Sequence, residues 1–205
     1  MRIKVCGITR PEDARLCEAA GVDALGFIFA KHSKRYLSLE HAKHVCAAVG
    51  PFVARVGVFV DAPLRDVEQA IDALRLQVVQ LHGQEDPAYA AQLRQQVQVV
   101  RALAFHEGLE PKHLASYPAD AFLLDGLTPG SGESFAWQEA QALCNLPKLI
   151  LAGGLHAGNV GQAIATLQPY AVDVASGVES SPGIKDPSKV QDFVRAVREQ
   201  KLSTG

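Results

Sequence analysis

Two side chains in this sequence are of types that could move a proton to and from a small substrate. Cys6 closes the short run Ile3-Lys4-Val5-Cys6 and is followed by Gly7. A thiol at the open end of a strand can meet cations and backbone dipoles that favour the thiolate, the form that acts as a base. A lone cysteine is equally a small core residue with no chemistry, and position alone leaves both readings open. Asp125 closes the apolar run Ala121-Phe122-Leu123-Leu124. A carboxyl group in a partly dry pocket keeps its proton to higher pH and can donate it near neutrality. The competing reading is a turn or helix-capping aspartate.

Other residues could hold what such a pair acts on. Gly153-Gly154 and Ser176-Gly177 each follow an apolar run, and glycines there let backbone N–H groups approach an anion such as phosphate. Taken singly each glycine reads as a tight turn; two clusters after successive runs favour the anion site. Arg35, between Lys34 and Tyr36, could grip a carboxylate in bidentate fashion. His82 lacks a ligand partner and reads as a pocket-shaping residue rather than a metal ligand. Asp173, between Val172 and Val174, is placed to point inward as a second polar group, or to serve structure alone. His41 and His44 read as one solvated helix face, and Cys17, Cys46 and Cys144 as buried, inert helix thiols.

These positions acquire meaning from the elements that carry them. Eight short apolar, β-branched runs recur at residues 3–6, 24–29, 56–60, 78–81, 97–103, 121–124, 149–152 and 172–175. Between them apolar residues fall at helical spacing, as at Val67, Ile71 and Leu74. Asp86-Pro87 and Asp186-Pro187 mark helix starts, and Thr9 with Glu12 fits a capping box. Strands buried on both faces require a parallel sheet covered by helices, and eight repeats in 205 residues favour closure into a (β/α)8 TIM barrel of α/β class. An open doubly wound sheet is the alternative. With no linker composition, residues 1–205 read as one domain, ending in a loose tail at 201–205. In a parallel barrel the strand ends share one mouth, and every candidate above lies at or near such an end.

Composition narrows the partners. Twenty Lys+Arg against 22 Asp+Glu give a net charge of -2, so no basic excess draws the chain to nucleic acid. The N-terminal MRIKVCGITR is too polar for a secretory leader and no later run is long enough to span a bilayer, so a cytoplasmic protein without a membrane partner is expected. The four cysteines show neither CxxC pairing nor zinc-finger spacing, so no disulfide framework and no metal is expected. No exposed apolar stripe demands a second copy, and a monomer is expected.

The ordered segments Lys4-Val5-Cys6-Gly7-Ile8-Thr9, Gly26-Phe27-Ile28-Phe29, Ser33-Lys34-Arg35-Tyr36, Val56-Gly57-Val58-Phe59-Val60 and Val79-Gln80-Leu81-His82-Gly83 recur together in one enzyme family. So do Leu151-Ala152-Gly153-Gly154-Leu155 and the stretch from Val172-Asp173-Val174 through Ser176-Gly177-Val178-Glu179 to Gly183-Ile184-Lys185-Asp186. Over nearly its full length the chain resembles the phosphoribosylanthranilate isomerases of tryptophan biosynthesis. The resemblance implies Cys6 as base, Asp125 as acid and Arg35 as anchor for the anthranilate carboxylate. It places the phosphate at the backbone around Gly154 and Ser176-Gly177, with a glycine-rich loop after the sixth strand closing over the site. It further implies an Amadori rearrangement with no cofactor and phosphoribosylanthranilate as the small-molecule substrate. Two departures stand out: a short loop, Leu127-Thr128-Pro129-Gly130-Ser131-Gly132, and Ala136 within Phe135-Ala136-Trp137, where the family usually has Phe-Asp-Trp.

Two other functions compete. Another phosphosugar barrel, either a histidine-biosynthesis isomerase or a pentose-phosphate epimerase, would call for an aspartate in place of Cys6 or for metal ligands at strand ends. A catalytically silent phosphate-binding barrel would need neither acid nor base.

Overall fold

In the computed structural model, which describes residues 1–106, 108–109, 111–114, 116–126 and 137–200, eight parallel strands close on themselves. They are β1 (Arg2–Cys6), β2 (Ala24–Ile28), β3 (Ala54–Phe59), β4 (Val78–Leu81), β5 (Gln98–Ala104), β6 (Ala121–Asp125), β7 (Leu149–Leu151) and β8 (Ala171–Val174). Each pairs with its sequence neighbours, and β1 pairs with β8 through Arg2 to Val5 against Ala171 to Val174, which rules out the open sheet. A short antiparallel hairpin follows, β9 (Glu179–Ser181) with β10 (Ile184–Lys185).

The two-residue period of a strand sorts side chains into two layers. On β1, Ile3 and Val5 are fully buried in the large core beneath the helices, while Lys4 and Cys6 face the barrel interior. Val100, Ala102, Ala121, Leu123, Ile150, Ala152 and Ala171 form a second, inner core contributed by β5 to β8. Lys4, Gln80 and Asp173 are the buried polar residues beside it. The barrel interior thus combines apolar packing with a few buried polar groups.

Helices α1 (Pro11–Ala19), α2 (Leu39–Cys46), α3 (Leu64–Leu74), α4 (Pro87–Leu93), α5 (Pro111–Leu114), α6 (Val160–Leu167) and α7 (Pro187–Glu199) cover the strands. Asp86 and Asp186 cap α4 and α7 as expected: their carboxylates accept from the N–H of Tyr89 and from those of Ser188 and Lys189. The capping box at Thr9 does not form. Helix α1 begins at Pro11 with Arg10 as its capping residue, so Thr9 lies one position too far upstream, and its hydroxyl donates to the carbonyl of Gly183 instead.

The connection from β6 to β7 ends in a 3-10 helix, Trp137–Asn145, in place of an α-helix. Its three-residue repeat buries Trp137, Ala140 and Leu143 and turns Cys144 outward. Cys144 is therefore exposed, contrary to its reading as a buried thiol, whereas Cys17 and Cys46 are buried. His41 and His44 are exposed on α2. The loop at 127–136, including Ala136, and the tail at 201–205 lie outside the described residues. Among the described residues no helix is long and apolar enough to cross a membrane.

Candidate active site

At the carboxyl ends of the strands lies a cavity of about 800 Å³ lined by Cys6, Arg35, His82, Asp125, Gly153, Gly154, Asp173 and Ser176, with Gln80 and Glu179. Of the nine residues proposed from sequence to act on or hold a substrate, eight are in the lining, and the ninth, Gly177, sits next to Ser176. Proximity within the barrel follows from strand direction: parallel strands deliver all their ends to one rim.

Glycines make room for the Cys6 thiol and the Asp125 carboxyl. A Cβ on Gly26 would lie 2.7 Å from the sulfur of Cys6, and one on Gly153 would lie 3.1 Å from Oδ1 of Asp125 and 2.6 Å from the nitrogen of Gly126. Gly153 and Gly154 have φ of +80° and +62°, which an L side chain rarely adopts. A Cβ on Gly177 would run into the carbonyl oxygen of Leu155. The Gly154 turn is braced by Asn159, whose amide donates to the Gly154 carbonyl at 2.9 Å and whose carbonyl accepts from the N–H of His156 at 2.8 Å.

Burial raises the Asp125 carboxyl from its ordinary 3.8 to about 6; Asp173 adds to the rise, while the N–H of Gly126, donating to Oδ1 at 2.8 Å, and Lys4 oppose it. Asp125 is thus a group that holds a proton close to neutral pH. His82 moves the other way, to about 4, chiefly by burial and then by repulsion from Lys4 and Arg101. Its Nε2 lies 3.7 Å from Oδ2 of Asp125, but a neutral imidazole makes no ion pair at that distance. Gln80 Nε2 lies 3.3 Å from Nδ1 of His82. Donation by this amide fixes the tautomer that carries its proton on Nε2, facing Asp125.

The cation effect expected at Cys6 is present but does not win. Burial pushes the thiol above its ordinary value, and Lys4 and Lys185 pull it back. Lys4 Nζ bonds Oδ2 of Asp173 at 2.7 Å, with both side chains buried. Burial lifts Asp173 and Lys4 opposes the lift. Oδ1 of Asp173, Oε1 of Gln80 and Nε2 of His82 are buried with no hydrogen-bond partner, and all three residues line the cavity. Unmatched buried polar atoms are costly, so this cluster is suited to a polyhydroxylated ligand.

The bidentate grip foreseen for Arg35 is made inside the protein. Nε and Nη2 donate to Glu179 at 2.8 and 2.7 Å, leaving the two donors of Nη1 outside that fork. Glu179 also accepts from Lys185 Nζ at 2.9 Å, and Lys185, whose side chain is fully buried, donates on to the carbonyls of Cys6 at 2.7 Å and Ala175 at 3.2 Å. One hairpin thereby ties the Cys6 end of β1, the Ser176 turn and Arg35 together. Sequence reasoning assigned no role to Lys4, Gln80, Glu179 or Lys185. The available signal for Lys4 was its place two residues before Cys6, on the same strand face. Among the described residues no group of three or more His, Cys, Asp or Glu is placed to hold a metal ion.

Proteins of one enzyme family share this sequence pattern and this barrel. A family model described as N-(5'phosphoribosyl)anthranilate (PRA) isomerase matches residues 3–196. The chain is 48% identical to an N-(5'-phosphoribosyl)anthranilate isomerase of Acidithiobacillus ferrooxidans, over 97% of this chain and 98% of that one. It superposes on a crystal structure of phosphoribosyl anthranilate isomerase from Thermus thermophilus with a TM-score of 0.91 and 44% identity, covering 97% and 99% of the two chains. A further isomerase, solved in complex with reduced 1-(o-carboxyphenylamino)-1-deoxyribulose 5-phosphate, matches with a TM-score of 0.89 and 34% identity, covering 97% and 99%.

Proposed function

The chain belongs to the N-(5'-phosphoribosyl)anthranilate isomerase family, and from that membership we propose how its own residues carry out the Amadori rearrangement of phosphoribosylanthranilate in tryptophan biosynthesis. Asp125 protonates the ribose ring oxygen, and the ring opens to a Schiff base. The thiolate of Cys6 removes the proton on C2′, giving an enolamine that tautomerises to 1-(2-carboxyphenylamino)-1-deoxyribulose 5-phosphate. The reaction is an internal redox shift and needs no external electron carrier.

The observation that carries this assignment is geometric: Cys6, at the end of β1, and Asp125, at the end of β6, line one cavity. Burial brings Asp125 to about 6, close enough to neutrality for a carboxylic acid to give up and regain a proton, while His82, lowered to about 4, stays neutral beside it. Backbone at Gly153, Gly154, Ser176 and Gly177 receives the phosphate, and Nη1 of Arg35 receives the anthranilate carboxylate. Asp173 Oδ1 accepts from a sugar hydroxyl, with His82 completing the wall around it. Anchoring both ends of the substrate holds C2′ and the ring oxygen in reach.

The chain acts as one catalytic domain, a reading supported by the closure of β1 on β8. A monomer is proposed as the working unit, although Phe52, just before β3, is 97% exposed. A cytoplasmic location accords with a biosynthetic enzyme of this kind. Sedimentation velocity and cell fractionation test these two points.

For the reaction, phosphoribosylanthranilate generated in place loses its fluorescence when the enzyme is added. Asp125→Asn and Cys6→Ala are each expected to lower kcat by roughly 10²–10⁴, the range for general acid–base groups, with product binding little changed. Wild-type turnover in either variant removes that residue from the mechanism. No loss of fluorescence with the native protein would leave the silent phosphate-binding barrel as the better reading.

A further inference from the structure

Lys4 and Asp173 form a buried ion pair at the cavity wall, with Asp173 in the lining beside Cys6. Such a pair is an expensive way to fill space. Desolvating two charges offsets most of their attraction, and well-packed apolar residues serve stability as well or better. The neighbouring interior shows that apolar packing is available, since β5 to β8 contribute Val, Ala, Leu and Ile there. The pair therefore calls for a role other than filling the barrel.

Its position supplies one. Lys4 and Cys6 alternate onto the same inward face of β1, about 7 Å apart along the strand, within the span of a lysine side chain. We propose that Lys4 is a positioning residue that places a positive charge beside the Cys6 sulfur, with Asp173 both holding the ammonium in place and moderating its effect. This deepens the reading of Cys6 as the base and rests on it.

The other charged or titratable groups around Cys6 are accounted for. Lys185 on β10 bonds the Cys6 carbonyl, and its charge is shared with Glu179. Arg35, from the loop after β2, is paired with Glu179 by two hydrogen bonds. Gly26 on β2 presents no side chain. Across the cavity stand Asp125 on β6 and a neutral His82 on β4. Lys4 is the leading favourable influence on the thiolate, and Asp173 works against it.

Opposite signs make the test sharp. The rate of iodoacetamide alkylation at Cys6, followed by peptide mapping from pH 6 to 10, reports the thiolate fraction without reference to turnover. Lys4→Met is expected to move the midpoint to higher pH and slow alkylation at pH 7 by about tenfold or more, the effect of one pKa unit. Asp173→Asn is expected to move it to lower pH and speed alkylation, and Lys4→Arg to stay near the native curve. The double variant Lys4→Met/Asp173→Asn leaves no unpaired charge, and is expected to fall between the two single variants.

A midpoint unmoved by both single substitutions, or moved in one direction by both, overturns the proposal. Should Lys4→Met fail to fold, Asp173→Asn decides alone: no downward shift overturns it. Native turnover by Cys6→Ala would instead sink the base assignment, while leaving the charge coupling measured at the thiol intact.

Discussion

Replacing Asp125 by asparagine should stabilise the protein above pH 6 while lowering its turnover by roughly 10²–10⁴. The folded carboxyl holds its proton up to about pH 6, whereas the unfolded one releases it near 3.8. Between those values the folded state binds more protons, so this residue's contribution to stability is full below 3.8 and is lost as pH rises through 6. The loss is about 3 kcal/mol. Asparagine has no proton to lose, and its side-chain oxygen can still accept from the N–H of Gly126.

His82 has the reverse slope. Its folded value of about 4 lies below its ordinary 6.5, so its contribution is present above 6.5 and lost as pH falls through 4, again by about 3 kcal/mol. In the native protein the two contributions nearly cancel between pH 4 and 6.5. Urea unfolding of native and Asp125→Asn protein at half-unit steps from pH 4 to 8 should show coincident stability at the acid end. The variant should then gain steadily, by about 1–3 kcal/mol at pH 8. Parallel curves, or a variant less stable at pH 8, would refute the claim that burial raises this carboxyl.

Three other outcomes are expected. Glu179→Ala leaves Arg35 and Lys185 buried without their carboxylate and should cost about 3–5 kcal/mol by denaturant titration, with KM raised as Arg35 loses its support. Gly177→Ala drives a methyl group against the Leu155 carbonyl, so KM and the inhibition constant for inorganic phosphate should rise together in steady-state assays. Asp186→Ala removes the side-chain cap of α7 and should lower stability by about 1 kcal/mol in the same titration, without changing the pH profile of kcat.

The barrel was legible because its signals are local. Eight apolar runs fix eight strands, and the Asp-Pro pairs at 86 and 186 announce their helices through chemistry within four residues. Strand ends then gave the candidate residues, because parallel strands share a rim. What the sequence hid depends on distant partners. Thr9 looks like a cap until Gly183 claims its hydroxyl. The fork of Arg35 looks free until Glu179, 144 residues away, fills it. Cys144 reads as buried on an α-helix, and only the three-residue repeat of the segment that forms turns it to solvent. For Cys6, the sign of the charge effect was readable and its magnitude was not: burial, set by the whole barrel, outweighs the nearby cations.

The bond from Lys185 to the carbonyl of Cys6 joins residues 179 positions apart, which sets an order of events during synthesis. At roughly 5–20 residues per second, about 10 to 40 seconds separate the making of the sulfur from the making of the lysine that closes its surroundings. Over that interval the thiol rides on a nascent chain with no pocket around it. An oxidant met then would strike before there was an enzyme to protect, so the thiol is made early and sheltered late.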